Sequence, residues 1–247
     1  MLQPHTSPNS KIDQAEKSWR LEISDGGPST YRLAQLDDYA LIARRRFVWQ
    51  EPAALSLRCR VSQSNLPGTW GFGLWNDPFS VSFGLRGMAR RLPVLPNACW
   101  FFHASEQNHL SFASGLPASG FLAQTFSSPR IPSALLAAGV FASPLLLIRP
   151  LSKWMRANIA AKLIREDAKQ ISVDVTKWHD YRLNWRANQV EYAIDGETVF
   201  ETVTSPKGPL GLVIWIDNQY AAWRPDGSLA MGTLAAPLAW MEVCLDN

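Results

Sequence analysis

The sequence predicts an all-β sandwich of antiparallel sheets interrupted by one helical insertion. Three observations carry this reading: tightly turned alternating runs between 178 and 220, similar runs on either side, and an uncharged stretch at 131–148 that breaks the pattern. Tyr181, Leu183 and Trp185 alternate with Arg182, Asn184 and Arg186, the period-two signature of a half-buried strand. Ala187-Asn188 turns the chain, and Val190, Tyr192 and Ile194 then alternate with Glu191 and Ala193. Asp195-Gly196 supplies a two-residue hairpin turn, because both residue types tolerate positive φ. The return run is 197–203, and after a Ser-Pro-Lys-Gly-Pro loop the apolar run 210–216 suits a strand buried on both faces. Four strands in series with short turns predict an antiparallel meander.

In chain order, residues 1–17 read as a polar, partly disordered tail. The single sandwich domain is expected over 18–247. Trp19, Leu21 and Ile23 alternate in a first strand, which Asp25-Gly26-Gly27-Pro28 breaks. The stretch 31–43 predicts one or two short strands and 47–50 another. Leu55, Leu57, Cys59 and Val61 alternate clearly, and the partner run 69–75 (TWGFGLW) contains Gly71 and Gly73, which permit a bulge or the close approach of another group. Further strands are predicted at 99–105, 121–126 and 238–245.

The insertion is expected over about 130–168. Pro132 sits where a helix can begin, and Pro144 kinks or ends it. In the following run, Leu151, Trp154, Met155, Ile159 and Leu163 fall on one helical face, while Arg149, Lys153, Arg156, Lys162 and Arg165 precede the first acid, Glu166.

A length of 247 residues fits one all-β domain, and a hydrophobic content of 47% supports a large core. A net charge of +3 without a basic patch interleaved with aromatics points away from nucleic acid. The polar N-terminus lacks the apolar core of a secretory signal, and the three cysteines Cys59, Cys99 and Cys244 show no metal-ligand spacing. Both features predict a reducing, cytoplasmic location, peripheral at the membrane if the insertion engages lipid, and no metal or other cofactor is expected.

The stretch LSLRCRVSQSNLPGTWGFGLW resembles the strand–turn–strand of the family 16 glycoside hydrolases and related concanavalin-like jelly rolls. WHDYRLNWRANQVEYAIDGETVF is similar to their later F/W-H-x-Y-x-x-x-W … I-x-x-Y-x-D-G segment, and WMEVCLDN sits where their closing strand does. The resemblance implies a jelly roll of two antiparallel sheets, one curved around a concave cleft. Those hydrolases carry an E-x-D-x-x-E strand, whose alternation sets carboxylates on one face and whose retaining chemistry needs two of them about 5 Å apart. Here the corresponding stretch is NACWFFHASEQNHLSF, in which Glu106 is the only carboxylate. Retaining glycoside hydrolysis is therefore not expected.

Four groups of residues are candidates for function. His103, Glu106 and His109 are evenly spaced, but the spacing fits neither a strand face nor an HExxH helix, so no metal site is expected. His103 could instead act as acid or base with Asp217 or Glu106. If Leu212, Ile214 and Ile216 face the core, Trp215 and Asp217 face the cleft, with Asn218, Tyr220 and Trp223 beyond; an aromatic beside an acid and an amide suits a sugar or polycyclic ligand. Trp70, Trp75 and Asp77 with Asn76 form a third group at the cleft edge. In the insertion, Trp154, Met155, Arg149, Lys153 and Arg156 suit either a lid over the sandwich or a helix in a membrane interface. The leading expectation is a protein that binds a small molecule, carbohydrate or lipophilic, in an aromatic concave cleft. An isomerase, cyclase or lyase reusing that cleft, and a membrane- or protein-docking module, are the alternatives.

Overall fold

The structure, a computed structural model, describes residues 2–78, 91–140 and 143–245. Its strands in chain order are β1 (Gln3–Thr6), β2 (Ser10–Ala15), β3 (Ser18–Ile23), β4 (Leu33–Asp37), β5 (Ala53–Val61), β6 (Thr69–Trp75), β7 (Ala98–Ala104) and β8 (Gly120–Ser127). The insertion follows as α1 (Ser133–Val140), α2 (Arg149–Met155), a π turn (Arg156–Ala160) and α3 (Ala161–Leu163). Then come β9 (Arg165–Gln170), β10 (His179–Arg186), β11 (Gln189–Ile194), β12 (Glu197–Thr202), β13 (Gly211–Asp217), β14 (Gln219–Trp223), β15 (Leu229–Thr233) and β16 (Ala239–Leu245).

Two seven-stranded antiparallel sheets make a jelly-roll sandwich. The front sheet has the order β1-β4-β13-β6-β7-β8-β9, and the back sheet β12-β11-β10-β5-β16-β3-β2. β14 and β15 form a separate ribbon. Alternation fills the space between the sheets. Leu21, Leu57, Tyr181, Leu183, Trp185, Tyr192 and Met241 point in from the back sheet, and Trp70, Phe72, Phe101, Phe121, Ile214 and Ile216 from the front. Aromatic rings meet edge-on across the gap, as Phe101 and Tyr192 do at 5.2 Å and 89°.

The hairpin turn at Asp195 and Gly196 has φ of 53° and 84°, the left-handed pair its sequence called for. Four expectations change. Residues 1–17 are not a tail over 3–15: β1 pairs with β4 and β2 with β3, closing one edge of each sheet. Their outward positions are polar because edge strands face water, and that polarity hid them. The meander stops after β12, since β13 crosses to the front sheet between β4 and β6. The insertion ends at Leu163, because 165–170 is a strand paired with β8. Of 47–50, only Trp49 makes a bridge, to Leu210.

Candidate functional site

The outer face of the front sheet is shaped by two glycines. In register, Gly71 of β6 lies between Trp215 of β13 and Phe102 of β7, and Gly73 lies between Val213 and Trp100. A methyl group on Gly71 would come within 2.5 Å of the Phe101 carbonyl oxygen and 3.0 Å of the Trp215 ring. With no side chain on β6 at these positions, rings from β7 and β13 close over it. Trp100 and Trp215 approach to 5.7 Å between centroids, Phe102 and Trp215 to 5.8 Å, and Trp75 and Trp100 to 5.9 Å. Trp75, Trp100 and Trp215 are half-buried and Phe102 is buried. Together they form an aromatic floor.

Each indole N–H of the floor is tied inward. Trp75 Nε1 donates to the Tyr39 hydroxyl at 2.7 Å, and Trp215 Nε1 to Thr69 Oγ1 at 2.9 Å. Trp100 Nε1 donates to Gln124 Oε1 at 3.1 Å, and Gln124 Nε2 in turn donates to Glu166 Oε1 at 2.9 Å. Glu166 Oε2 accepts the backbone N–H groups of Phe112 and Ala113 at 2.7 and 3.1 Å. Burial raises the Glu166 pKa, and these bonds oppose the rise. What the indoles leave toward solvent is apolar ring surface.

Two residues on from Trp215 along the same face of β13 is Asp217, which shares Thr69 with it. Its Oδ1 accepts from Thr69 Oγ1 at 2.8 Å, Thr69 N at 3.1 Å and Gln219 N at 3.2 Å, and its Oδ2 accepts from the Tyr31 hydroxyl at 3.5 Å. Burial pushes this carboxyl up to about 7 in spite of those donors. Farther along the face, buried Asp37 accepts from Gln35 Nε2 at 2.8 Å and from the backbone of Tyr39 and Ala40. His5 Nε2 lies 3.2 Å from Asp37 Oδ2 but is not aligned as a hydrogen bond.

The residues singled out in the sequence separate. Trp75 and Trp215 belong to the floor, with Asp217 two residues on from Trp215 on the same face. Trp70 does not, since it points between the sheets with 1% of its surface exposed. His103 follows it inward, stacked on its ring, with Nε2 3.2 Å from the Leu66 carbonyl oxygen. Burial lowers the His103 pKa. His103 and Asp217 thus lie on opposite faces of one sheet and form no acid–base pair. Glu106 is exposed in the turn after β7.

Asp77 is buried in an ion pair with Arg91 at 2.5 Å, which removes it from the cleft edge. Asn218 is fully buried and spends its amide on the Arg32 N–H and the Thr30 and Leu234 carbonyls, joining loops rather than facing a ligand. On β14, Tyr220 is half-buried against Gly232. Trp223 receives the insertion: its Nε1 donates to Ser152 Oγ at 2.9 Å, and its ring meets Phe112 edge-on. Arg156 is buried, donating to the Trp223 and Ser111 carbonyls at 2.9 and 2.8 Å, whereas Trp154 is 54% exposed. Arg149 and Lys153 are exposed, and Met155 is half-buried.

Trp100, Phe102, Thr69, Gln124 and Glu166 are the site residues that sequence reasoning did not single out. Trp100 and Phe102 alternate with His103, so that spacing offered two faces; the glycines opposite them on β6 were the missing discriminator. Gln124 and Glu166 meet only through strand pairing. β7 carries no carboxylate, and among the described residues no cluster of metal-type ligands gathers.

No family model matches the sequence, and no curated protein matches it. Similar solved structures include a GlcNAcα1-4Gal-releasing endo-β-galactosidase from Clostridium perfringens, at 12% identity over 98% of this chain and 58% of that one, with a TM-score of 0.44. A prokaryotic β-1,3-1,4-glucanase (lichenase) from a mouse hindgut metagenome is 12% identical over 95% of this chain and 82% of that one, with a TM-score of 0.46. The laminarinase catalytic domain from Thermotoga maritima is 10% identical over 97% and 80%, also with a TM-score of 0.46. This chain therefore spans less than two-thirds of the endo-β-galactosidase. The architecture itself stands on the strand pairing described above, and these likenesses add no chemistry to it.

Proposed function

We propose that this jelly roll binds a carbohydrate on the aromatic floor of its front sheet and does not act as a retaining glycosidase. The observation that carries the proposal is the inward anchoring of all three floor indoles, which presents rigid apolar ring surface beside buried amides and carboxylates. A sugar ring offers the complement: an apolar C–H face and a polar rim. Small-molecule sites share this composition, mostly aromatic with a few placed polar groups. The absence of any carboxylate from β7 supports binding over hydrolysis by a paired-carboxylate mechanism.

The test is a fluorescence titration with short neutral gluco- and galacto-oligosaccharides. The expected result is a saturable change that Trp100→Ala and Trp215→Ala each abolish. A panel that produces no saturable change, or one that both variants leave intact, rejects the proposal.

A second reading, catalysis in the same cleft, rests on Asp217. A carboxyl pushed up to about 7 is suited to proton transfer near neutrality. In this reading Asp217 works without His103, which faces the other side. Turnover of any ring-containing substrate that Asp217→Asn abolishes while binding persists would favour it.

A further inference from the structure

The insertion docks on the protein by a stripe that is polar in its first half and apolar in its second. Ser152, Arg156, Ala160 and Ile164 are buried at a spacing of four. Ser152 accepts the Trp223 indole N–H, and Arg156 donates to two backbone carbonyls, with Nη2 also 3.3 Å from His109 Nε2. Trp154 lies two residues, or about 200°, around α2 from Ser152. It is 54% exposed, and Leu147 and Ile148 just before the helix are 79% and 54% exposed. Leu135, Leu145 and Ile159 are exposed as well. Nearly half of the exposed large apolar side chains among the described residues fall within 135–159. Single exposed hydrophobes are ordinary on a soluble protein, but a concentrated group marks a contact surface.

The charge around this surface has one sign. Residues 131–165 contain Arg149, Lys153, Arg156, Lys162 and Arg165 and no Asp or Glu. All of these but Arg156 are exposed. Arg149 is shared with Asp226 at 3.2 Å, so the field rests mainly on Lys153, Lys162 and Arg165. We propose that this insertion seats the protein on the surface of an anionic lipid bilayer, with Leu147, Ile148 and Trp154 entering the interface and the cations meeting acidic headgroups. Both features are rewarded at once by such a surface. A second copy of the chain suits it less, because a two-fold contact would set these cations against one another. No helix among the described residues is long and apolar enough to cross a membrane.

The experiment is co-sedimentation of the full chain with phosphatidylcholine vesicles, with and without phosphatidylserine. Wild type is expected to pellet with the phosphatidylserine vesicles and to be released by salt. Leu147→Ser combined with Ile148→Ser and Trp154→Ser should weaken that binding by more than about tenfold, as should Lys153→Glu with Lys162→Glu. These side chains are exposed, so both variants should keep the wild-type melting temperature; weakening in either one at an unchanged melting temperature supports the proposal. Equal binding to both vesicle types, no binding to either, or undiminished binding by both variants overturns it. So does a wild-type dimer that the apolar variant dissociates in the absence of vesicle binding, since the patch would then join copies of the chain.

Discussion

His103 lies flat against Trp70, their ring centroids 5.6 Å apart and their planes 13° from parallel. Phe121 stacks on the same indole at 5.0 Å, so the imidazole is one layer of an aromatic column inside the sandwich. His103→Ala should therefore cost roughly 2–4 kcal/mol of stability, as for other large-to-small changes in a core. Oligosaccharide titration of the folded variant should match wild type, because the ring is on the far side of the sheet from the floor.

The same residue makes stability depend on pH. Burial holds His103 below its ordinary 6.5, so the folded state resists protonation that the unfolded chain accepts. Its contribution is complete above pH 6.5 and is lost as the pH falls through the lowered folded value. Urea unfolding of His103→Phe should show a shallower decline below pH 6.5 than wild type does.

Asp217 has the opposite sign. Its carboxyl is raised from 3.8 to about 7, so the folded protein favours the protonated acid. That contribution is complete below pH 3.8 and disappears as the pH rises through about 7. The stability difference between wild type and Asp217→Asn should shrink steadily across this interval. A difference independent of pH would show that the carboxyl is ionised throughout.

Gly71→Ala should damage the floor without touching any aromatic residue. The new methyl meets the Phe101 carbonyl oxygen and the Trp215 ring, an overpacking that costs about 1–3 kcal/mol. The fluorescence response to oligosaccharide should fall with it, as in Trp215→Ala.

Arg156→Ala should loosen the insertion. It removes the donors to the Trp223 and Ser111 carbonyls, and a hydrogen bond to a charged group is worth roughly 1.5–3 kcal/mol. Trypsin should then cut faster at Lys153 and Lys162, as read by mass spectrometry of timed digests. Arg156→Lys should restore little, since an ammonium lacks the planar fork that reaches several acceptors at once.

The strands were legible wherever one face was apolar and the other polar, as in β5, β10 and β11. β1 and β2 were not, because an edge strand repays a polar outer row. Trp215 and Asp217 could be placed by alternation from their apolar neighbours on β13. His103 could not be oriented that way: β7 is apolar on both faces, and its facing was set by glycines on another strand. In the insertion, Trp154 and Ile159 are exposed and Arg156 and Ser152 buried against the alternation of hydropathy, for a related reason. Hydropathy assigns arginine and serine to solvent, whereas Arg156 and Ser152 are buried to satisfy backbone carbonyls and an indole N–H.

Because β6 gives up its outer surface at Gly71 and Gly73, the two jaws of the trough come from distant parts of the chain, Trp100 from β7 and Trp215 from β13. A ligand resting on both rings acts as a clasp between the earlier and later halves of the polypeptide. Occupancy would then hold the sandwich shut and, with ligand in excess, raise its unfolding free energy in proportion to the logarithm of ligand concentration.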